Sequence, residues 1–351
     1  MVMRANLFPV LCVPVFLLSI TVSSDDSKQQ RFVYSNDTEN ECLKNGVYKG
    51  VCKTVQECPE LLHKDSKLLN ENNCGFKGII PLVCCPESII PREGCGRRSI
   101  TTTRIIGGRI SDVGAWPWMV AIFLKSKYAE YLYCGGSLIT QKHVITASHC
   151  VFESTNLLEP SDLLVRLGEH DLTSDDDNAS PIDRSVKIIK HHEKYVARTF
   201  ENDIAILTLD KPVKFTERIH PVCLPFIELR HENLIDRHAF ITGWGKTSYS
   251  GKYSDKLREA QVLISDQKQC NKDYQGIVNL TKVYMCAGYD FGGIDACLGD
   301  SGGPLMLPAG KDSLFYLVGI VSFGKNCASP NYLGVYTRIT EFLDWIRINA
   351  T

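Results

Sequence analysis

From Ile105 onward, apolar and polar residues alternate in short runs. "LLVRLGEH" (163–170), "SVKIIKHH" (185–192), "DIAILTL" (203–209), "HAFITGWG" (238–245) and "FYLVGIVSFG" (315–324) are rich in β-branched and aromatic residues, with glycine, proline or aspartate in the turns between them. Many short runs of this kind predict an all-β barrel or sandwich. One stretch breaks the pattern: "TEFLDWIRI" (340–348) places Phe342, Trp345 and Ile346 on one face at helical spacing, which predicts a C-terminal helix.

The N-terminus is different. Met1 to Arg4 precede an apolar run from Leu7 to Ile20 and small residues from Thr21 to Ser24, the layout of a secretory signal peptide over 1–24. A retained signal anchor is the alternative, but the run is short for one. No later stretch is apolar enough to span a bilayer.

An oxidising destination makes the cysteines legible. The chain has 15, and losing Cys12 with the signal peptide leaves an even set suited to disulfides. The CxxC pairs of zinc sites are missing. Cys42, Cys52, Cys58, Cys74, Cys84 and Cys85 crowd into 41–86, a segment too small to hold its shape without cross-links. Residues 87–104 include "EGCGRRSITTTR" (93–104), which is polar, basic and without apolar period, as an exposed and protease-sensitive linker is. The larger domain is 105–351. With a net charge of −1 over 351 residues there is no basic excess, so charge suggests neither a nucleic acid nor a membrane surface as partner.

The chemistry concentrates in "DACLGDSGGP" (295–304), too rich in glycine for a helix interior or regular strand. A serine hydroxyl is a weak nucleophile until a base takes its proton, and the base works best when a buried carboxylate fixes its tautomer. The chain offers His149 in "ITASHC", Asp203 in "NDIAIL" and Ser301 in "GDSGGP". Taken singly, each has an ordinary structural explanation, such as a turn.

Together with "IIGG", "AWPW", "CGGSLIT", "TGWG", "CAG", "VSFG" and "GVYTRI", in this order and spacing, 105–351 resembles the trypsin-like, chymotrypsin-fold serine proteases. The six-cysteine segment 41–86 resembles the clip domain that precedes such proteases in arthropod haemolymph cascades. The resemblance implies a mainly β fold, a double antiparallel β-barrel with a C-terminal helix behind a small disulfide-rich clip domain. It implies Ser301 as nucleophile, His149 as general base and then acid, Asp203 as orienting carboxylate, and the N–H groups of Gly299 and Ser301 as the oxyanion hole. It also implies a zymogen cut after Arg104, whose freed Ile105 amine pairs with Asp300.

The same resemblance pairs Cys42 with Cys84, Cys52 with Cys74, Cys58 with Cys85, Cys134 with Cys150, Cys270 with Cys286 and Cys297 with Cys327. Cys95 and Cys223 remain, and bridging them would keep the clip domain attached after the cut. Asp295 matches the carboxylate at the base of the specificity pocket, and Ser322, Phe323, Gly324 and Gly334 match its walls, so the residue before the cut is basic. Ala296, where many trypsins carry serine, favours arginine over lysine, because a guanidinium pairs bidentately while an ammonium needs more hydration. Phe323 for the usual Trp, Leu298 for Gln and Leu333 for Pro or Tyr, with a longer stretch between Cys150 and Leu167, imply a selective regulatory protease.

Partners follow from this resemblance: a protein substrate cleaved after Arg, an upstream activating protease, a serpin-type inhibitor and a docking partner or surface for the clip domain. The implied location is extracellular, in haemolymph or a secretory granule. No cofactor is required. Glu169, Asp171 and the acids after them resemble the calcium loop of many relatives, and a solvated acidic loop or an exosite for a basic partner is the other reading. Asn36, Asn178, Asn279 and Asn349 lie in N-x-S/T sequons, some of which are expected to carry glycan; Pro181 after the Asn178 sequon disfavours that one. Two other functions would fit such a chain, a catalytically silent clip-domain cofactor and an extracellular binding protein. The complete set of His149, Asp203 and Ser301 argues against the first.

Overall fold

The computed structural model describes residues 41–44, 48–58, 73–78, 80–86, 94–98, 108–174, 176–226, 229, 232–246, 251–289, 292, 299–310, 313–325 and 332–350. The expected signal peptide, Asn36, Arg104, Ile105, Asp295, Ala296, Leu298 and the Cys297–Cys327 pair lie outside them. Among the described residues no helix is long and apolar enough to cross a membrane.

Four strands make up the N-terminal unit: β1 (Glu41–Lys44), β2 (Tyr48–Thr54), β3 (Asn73–Lys77) and β4 (Ile80–Pro86), in the order β1-β2-β4-β3. Disulfides Cys42–Cys84, Cys52–Cys74 and Cys58–Cys85 cross it. Its buried residues are mostly the cysteines themselves, joined by Val83. Sulfur bridges stand in here for the apolar core that so few residues cannot supply.

The larger unit opens with β5 (Arg109–Ile110). Strands β6 (Met119–Lys125), β7 (Glu130–Leu138) and β8 (His143–Thr146) follow, then a short hairpin of β9 (Phe152–Glu153) and β10 (Asn156–Leu157). With β11 (Leu163–Leu167), β12 (Ile182–His191) and β13 (Ala205–Leu209), the strands β6, β7 and β8 close a barrel in the order β11-β12-β13-β8-β7-β6. In β11 burial alternates along "LLVRL", as the period of two requires.

A second sheet contains β14 (His238–Gly243), β15 (Arg258–Ile264), β16 (Tyr284–Gly288), β17 (Pro304–Ala309), β18 (Leu314–Phe323) and β19 (Gly334–Arg338). Its order is β14-β17-β18-β19-β16-β15-β5, and pairing of β14 with β15 closes it. The chain is thus a mainly β, double-barrel protein. Trp118, Ile122, Leu138, Ile145 and Leu207 are buried in the first core, and Ala239, Val262, Leu305 and Tyr336 in the second.

The C-terminal helix forms as α2 (Leu343–Asn349), with Phe342, Leu343 and Ile346 buried in the first core. Trp345 is only partly buried and donates to Glu193 at 3.0 Å. A second helix of the same length, α1 (Gln267–Asp273), has no counterpart in the sequence expectations. Its residues "QKQCNKD" bury only Cys270, so no apolar period announces it. Asp266 caps it by accepting from the Lys268 N–H at 2.7 Å, and Cys270–Cys286 ties it to β16.

Candidate active site

Register brings the first two residues together. β8 and β13 are antiparallel with Thr146 opposite Ala205, so the chain leaving β8 emerges beside the chain entering β13. His149, three residues past Thr146, sits in a 3-10 turn over Ser148–Val151, and Asp203 lies two residues before Ala205. His149 Nδ1 is 2.8 Å from Asp203 Oδ2, and the His149 backbone N–H donates to Oδ1 at 2.9 Å. A carboxylate only accepts, so Nδ1 carries the ring proton and Nε2 is left as acceptor.

Asp203 is fully buried and its other bonds are supplied around it. Ser322 Oγ donates to Oδ2 at 2.6 Å, Thr337 Oγ1 donates to the backbone carbonyl at 2.7 Å, and Ser148 Oγ holds the next carbonyl, that of Ile204, at 2.7 Å. A charge in such a place persists only because donors surround it. The same charge, after burial, pushes up the neighbouring Tyr195 hydroxyl.

Ser301 heads β17 in the other barrel. Its carbonyl accepts from the Gly135 N–H of β7 at 2.7 Å, a bond that crosses between the barrels. Gly302 and Gly303 exchange bonds with Val321 at 2.9 Å, one residue before Ser322. A Cβ on Gly302 would strike Thr146 and the Gly135 carbonyl and come within 3.1 Å of Cys150 Sγ, which shows how closely this turn packs on the turn carrying His149. The "GDSGG" glycines are therefore a packing requirement.

Gly299 has φ +98°, and a Cβ there would lie 2.7 Å from Tyr253 Cε1. Beside it the Asp300 carboxylate accepts from Gly245 N–H at 2.8 Å and fills the space where side chains on Gly243 and Gly245 would stand. The "TGWG" glycines thus make room for that carboxylate.

The cleft has an aromatic wall that sequence reasoning missed. Phe200 meets His149 edge-on at 5.5 Å between ring centroids and stacks on Phe323 at 5.3 Å. Its φ is +59°, uncommon for an aromatic residue. Nothing in "TFEND" signals this role. On the other side, the insert after Cys150 folds as the β9–β10 hairpin, with Phe152 against His191 and Tyr195. Gly334 is buried at the head of β19, Gly324 is exposed, and Leu333 is buried beneath Tyr274, whose hydroxyl donates to its carbonyl at 2.8 Å.

The structure also joins Cys134 to Cys150 and Cys95 to Cys223. A nitrogen of His149 lies within 4.8 Å of both sulfurs of the first bridge, and Cys42, Cys52 and Cys74 cluster likewise. All these sulfurs are in disulfides, so neither group offers thiolates to a metal.

A trypsin family profile matches residues 105–346. The chain belongs to the trypsin family of serine proteases. This trypsin-like endopeptidase is 49% identical to the proclotting enzyme of Tachypleus tridentatus, over 97% of its own length and 98% of that protein. It is 36% identical to the venom serine protease Bi-VSP of Bombus ignitus over 87% of this chain and 90% of that one. To the clotting factor G beta subunit of Tachypleus tridentatus it is also 36% identical, over 80% of this chain and 83% of that one.

Proposed function

We propose that the protein is a secreted zymogen whose N-terminal unit is a clip domain, cut after Arg104 by an upstream protease, which then cleaves protein substrates after Arg in a clotting or innate-immune cascade. The His149–Asp203–Ser322 geometry carries the catalytic half of this reading. In it, Ser301 Oγ attacks the carbonyl carbon while His149 Nε2 takes the hydroxyl proton; His149 then returns it to the departing amine, and water releases the acyl group by the same route. Gly299 and Ser301 N–H groups meet the oxyanion, each worth about 3 kcal/mol.

The relatives' names, proclotting enzyme and clotting factor G, support the cascade role. For the zymogen half, the Asp300 carboxylate, close against Gly243 and Gly245, is the partner assigned to the Ile105 amine. Asp295 and Ala296 are the arginine-selecting pair, and a serpin-type inhibitor is the natural stop. Labelling with diisopropyl fluorophosphate decides between enzyme and silent homologue. Activated protein is expected to take up the reagent at Ser301; no uptake would sink the catalytic assignment.

Calcium binding by the loop after β11 is a further proposal, and the fit is poor among the described residues. Glu169 accepts from the His170 N–H at 2.7 Å and from Arg166 at 3.4 Å, while Asp171 accepts from Thr173 and lies 3.6 Å from Lys256. Both carboxylates are spent on protein partners. Calorimetry with calcium chloride tests the reading, and a flat titration removes it. Among the sequons, Asn178 and Asn279 are exposed, whereas Asn349 Nδ2 donates to the Trp345 carbonyl at 2.8 Å, a bond that a glycan there would disturb.

A further inference from the structure

The linker holds a second trypsin-like cut site. Arg97 and Arg98 form a dibasic pair six residues before Arg104. A cut after Arg98 would start the new chain at Ser99, leaving Ile105 without a free amine for Asp300.

The structure ties this pair down. Cys95 is bridged to Cys223. Gly96 donates to the Pro221 carbonyl at 2.8 Å and accepts from the Phe315 N–H at 2.9 Å, so it is already paired on both sides. It is buried at φ +66°, and a Cβ there would lie 2.5 Å from the Phe315 carbonyl oxygen. Only glycine allows that approach.

Arg98 goes further in. Its guanidinium carbon stands 3.9 Å over the Trp116 ring and 5.3 Å from Phe315, Nε donates to the Ala115 carbonyl at 2.8 Å, and Nη2 is 3.7 Å from Glu259 Oε2. The side chain is 7% exposed. Glu259 is itself buried and takes the Trp116 indole N–H at 2.6 Å and Arg109 at 2.8 Å. One carboxylate therefore pins the linker before the Arg104 cut and the strand after it.

A protease of this type binds its substrate as an extended strand and draws the side chain before the cut into a pocket. Gly96 cannot pair with a protease while it pairs with Pro221 and Phe315. The Arg98 side chain cannot enter a pocket while it lies on Trp116. The Arg97 side chain is exposed, so a cut after it is opposed only by the backbone pairing of Gly96, whereas a cut after Arg98 also requires that side chain to leave Trp116. Both need local opening, which slows proteolysis by the population of the opened form.

We propose that Arg97–Arg98 is a withheld processing site: docking of Arg98 on Trp116, Glu259 and Phe315, with the Gly96 backbone pairing beside the exposed Arg97, holds the segment closed and leaves Arg104 as the productive cut. This rests on the activation after Arg104 proposed above. It assigns Trp116 and Glu259 a task outside catalysis.

The test uses the full chain carrying Ser301→Ala, so that it cannot cut itself, with pancreatic trypsin as the probe. Fragments are reduced, because Cys95–Cys223 would hold them together, and their new N-termini are timed by mass spectrometry. Cutting after Arg97 or Arg98 is expected to be at least tenfold slower in the folded chain than in the reduced, urea-unfolded chain; a smaller difference overturns the proposal. Arg98→Lys keeps a residue that trypsin accepts but loses the planar stack and the Nε donor. It is expected to raise the Ser99 end at least tenfold in the folded chain, and Trp116→Phe to move it the same way. If both variants leave that end unchanged, the docking is not what protects the bond. Absence of any Ile105 end from the folded parent would refute activation at Arg104, a separate outcome from the rates at Arg97 and Arg98.

Discussion

Ser322 Oγ and His149 Nδ1 meet the same oxygen of Asp203, at 2.6 and 2.8 Å. Ser322 comes from the second barrel and His149 from the first, so this oxygen joins the two barrels. Ser322→Ala removes a neutral donor from a buried carboxylate, and only part of that hydrogen bond is felt in the transition state. The expected loss is about tenfold in kcat, or about 1.4 kcal/mol, with KM little changed. A fall in KM alone would contradict a positioning role.

Gly299→Ala addresses the oxyanion assignment. The backbone at φ +98° is costly for alanine, and the new Cβ would meet Tyr253 at 2.7 Å and Gly245 Cα at 3.1 Å. The peptide has to turn, taking its N–H with it. Loss of one such donor costs about 100-fold or more in kcat. Adding Tyr253→Ala clears the ring but neither the backbone conformation nor Gly245, so little recovery is expected; full recovery would show that the glycine matters only for its fit against Tyr253.

Phe200 narrows the space beside His149, so peptides with a small residue before the cleaved arginine are expected to be preferred. Phe200→Gly relieves about 1 kcal/mol of left-handed backbone strain but gives up about 1 kcal/mol of stacking on Phe323 as well as the apolar area of a half-buried ring, so stability is expected to fall modestly. Matched peptides with Gly or Leu at that position measure the effect. The variant is expected to shrink the Gly-over-Leu ratio at least fivefold, and an unchanged ratio would show that the ring does not face substrate.

Much of this architecture could be read from the chain because it rests on local patterns. The runs 163–167, 185–191 and 205–209 are strands where alternation or β-branched residues predict them, and Phe342 and Ile346 are buried as the helical spacing requires. What stayed hidden depends on distant contacts. Ser322 reads as a pocket wall, yet its hydroxyl crosses to Asp203, 119 positions away. Helix α1 owes its place to the Asp266 cap and the Cys270 bridge, and Phe200 becomes part of the cleft only because Phe323 arrives from the other barrel. The "TGWG" and "GDSGG" glycines were legible as a motif, while their shared cause, the Asp300 carboxylate and the packing of two turns, appears only in three dimensions.

Stability is expected to fall on mild acidification because of histidines away from the active site. His143 is 6% exposed; Thr140 Oγ1 lies 2.8 Å from its Nδ1, and its Nε2 is buried without a hydrogen-bond partner among the described residues. Burial, helped by the Lys142 charge, pushes its pKa below the ordinary 6.5, and burial lowers those of His170, His192 and His220 as well. A proton that binds more weakly in the folded state favours unfolding as the pH drops. The stabilising contribution is thus complete above the unfolded value of 6.5 and is lost as the pH falls toward the folded one. His143→Asn keeps a polar group facing Thr140 but cannot titrate. Its melting temperature is expected to be lower than the parent's at pH 7.5 because a ring has been removed from the core. Between pH 7.5 and 5 it is expected to decline less steeply, by about one quarter if the four histidines contribute equally. Calorimetry across that range measures the slopes, and parallel slopes would remove His143 from the account.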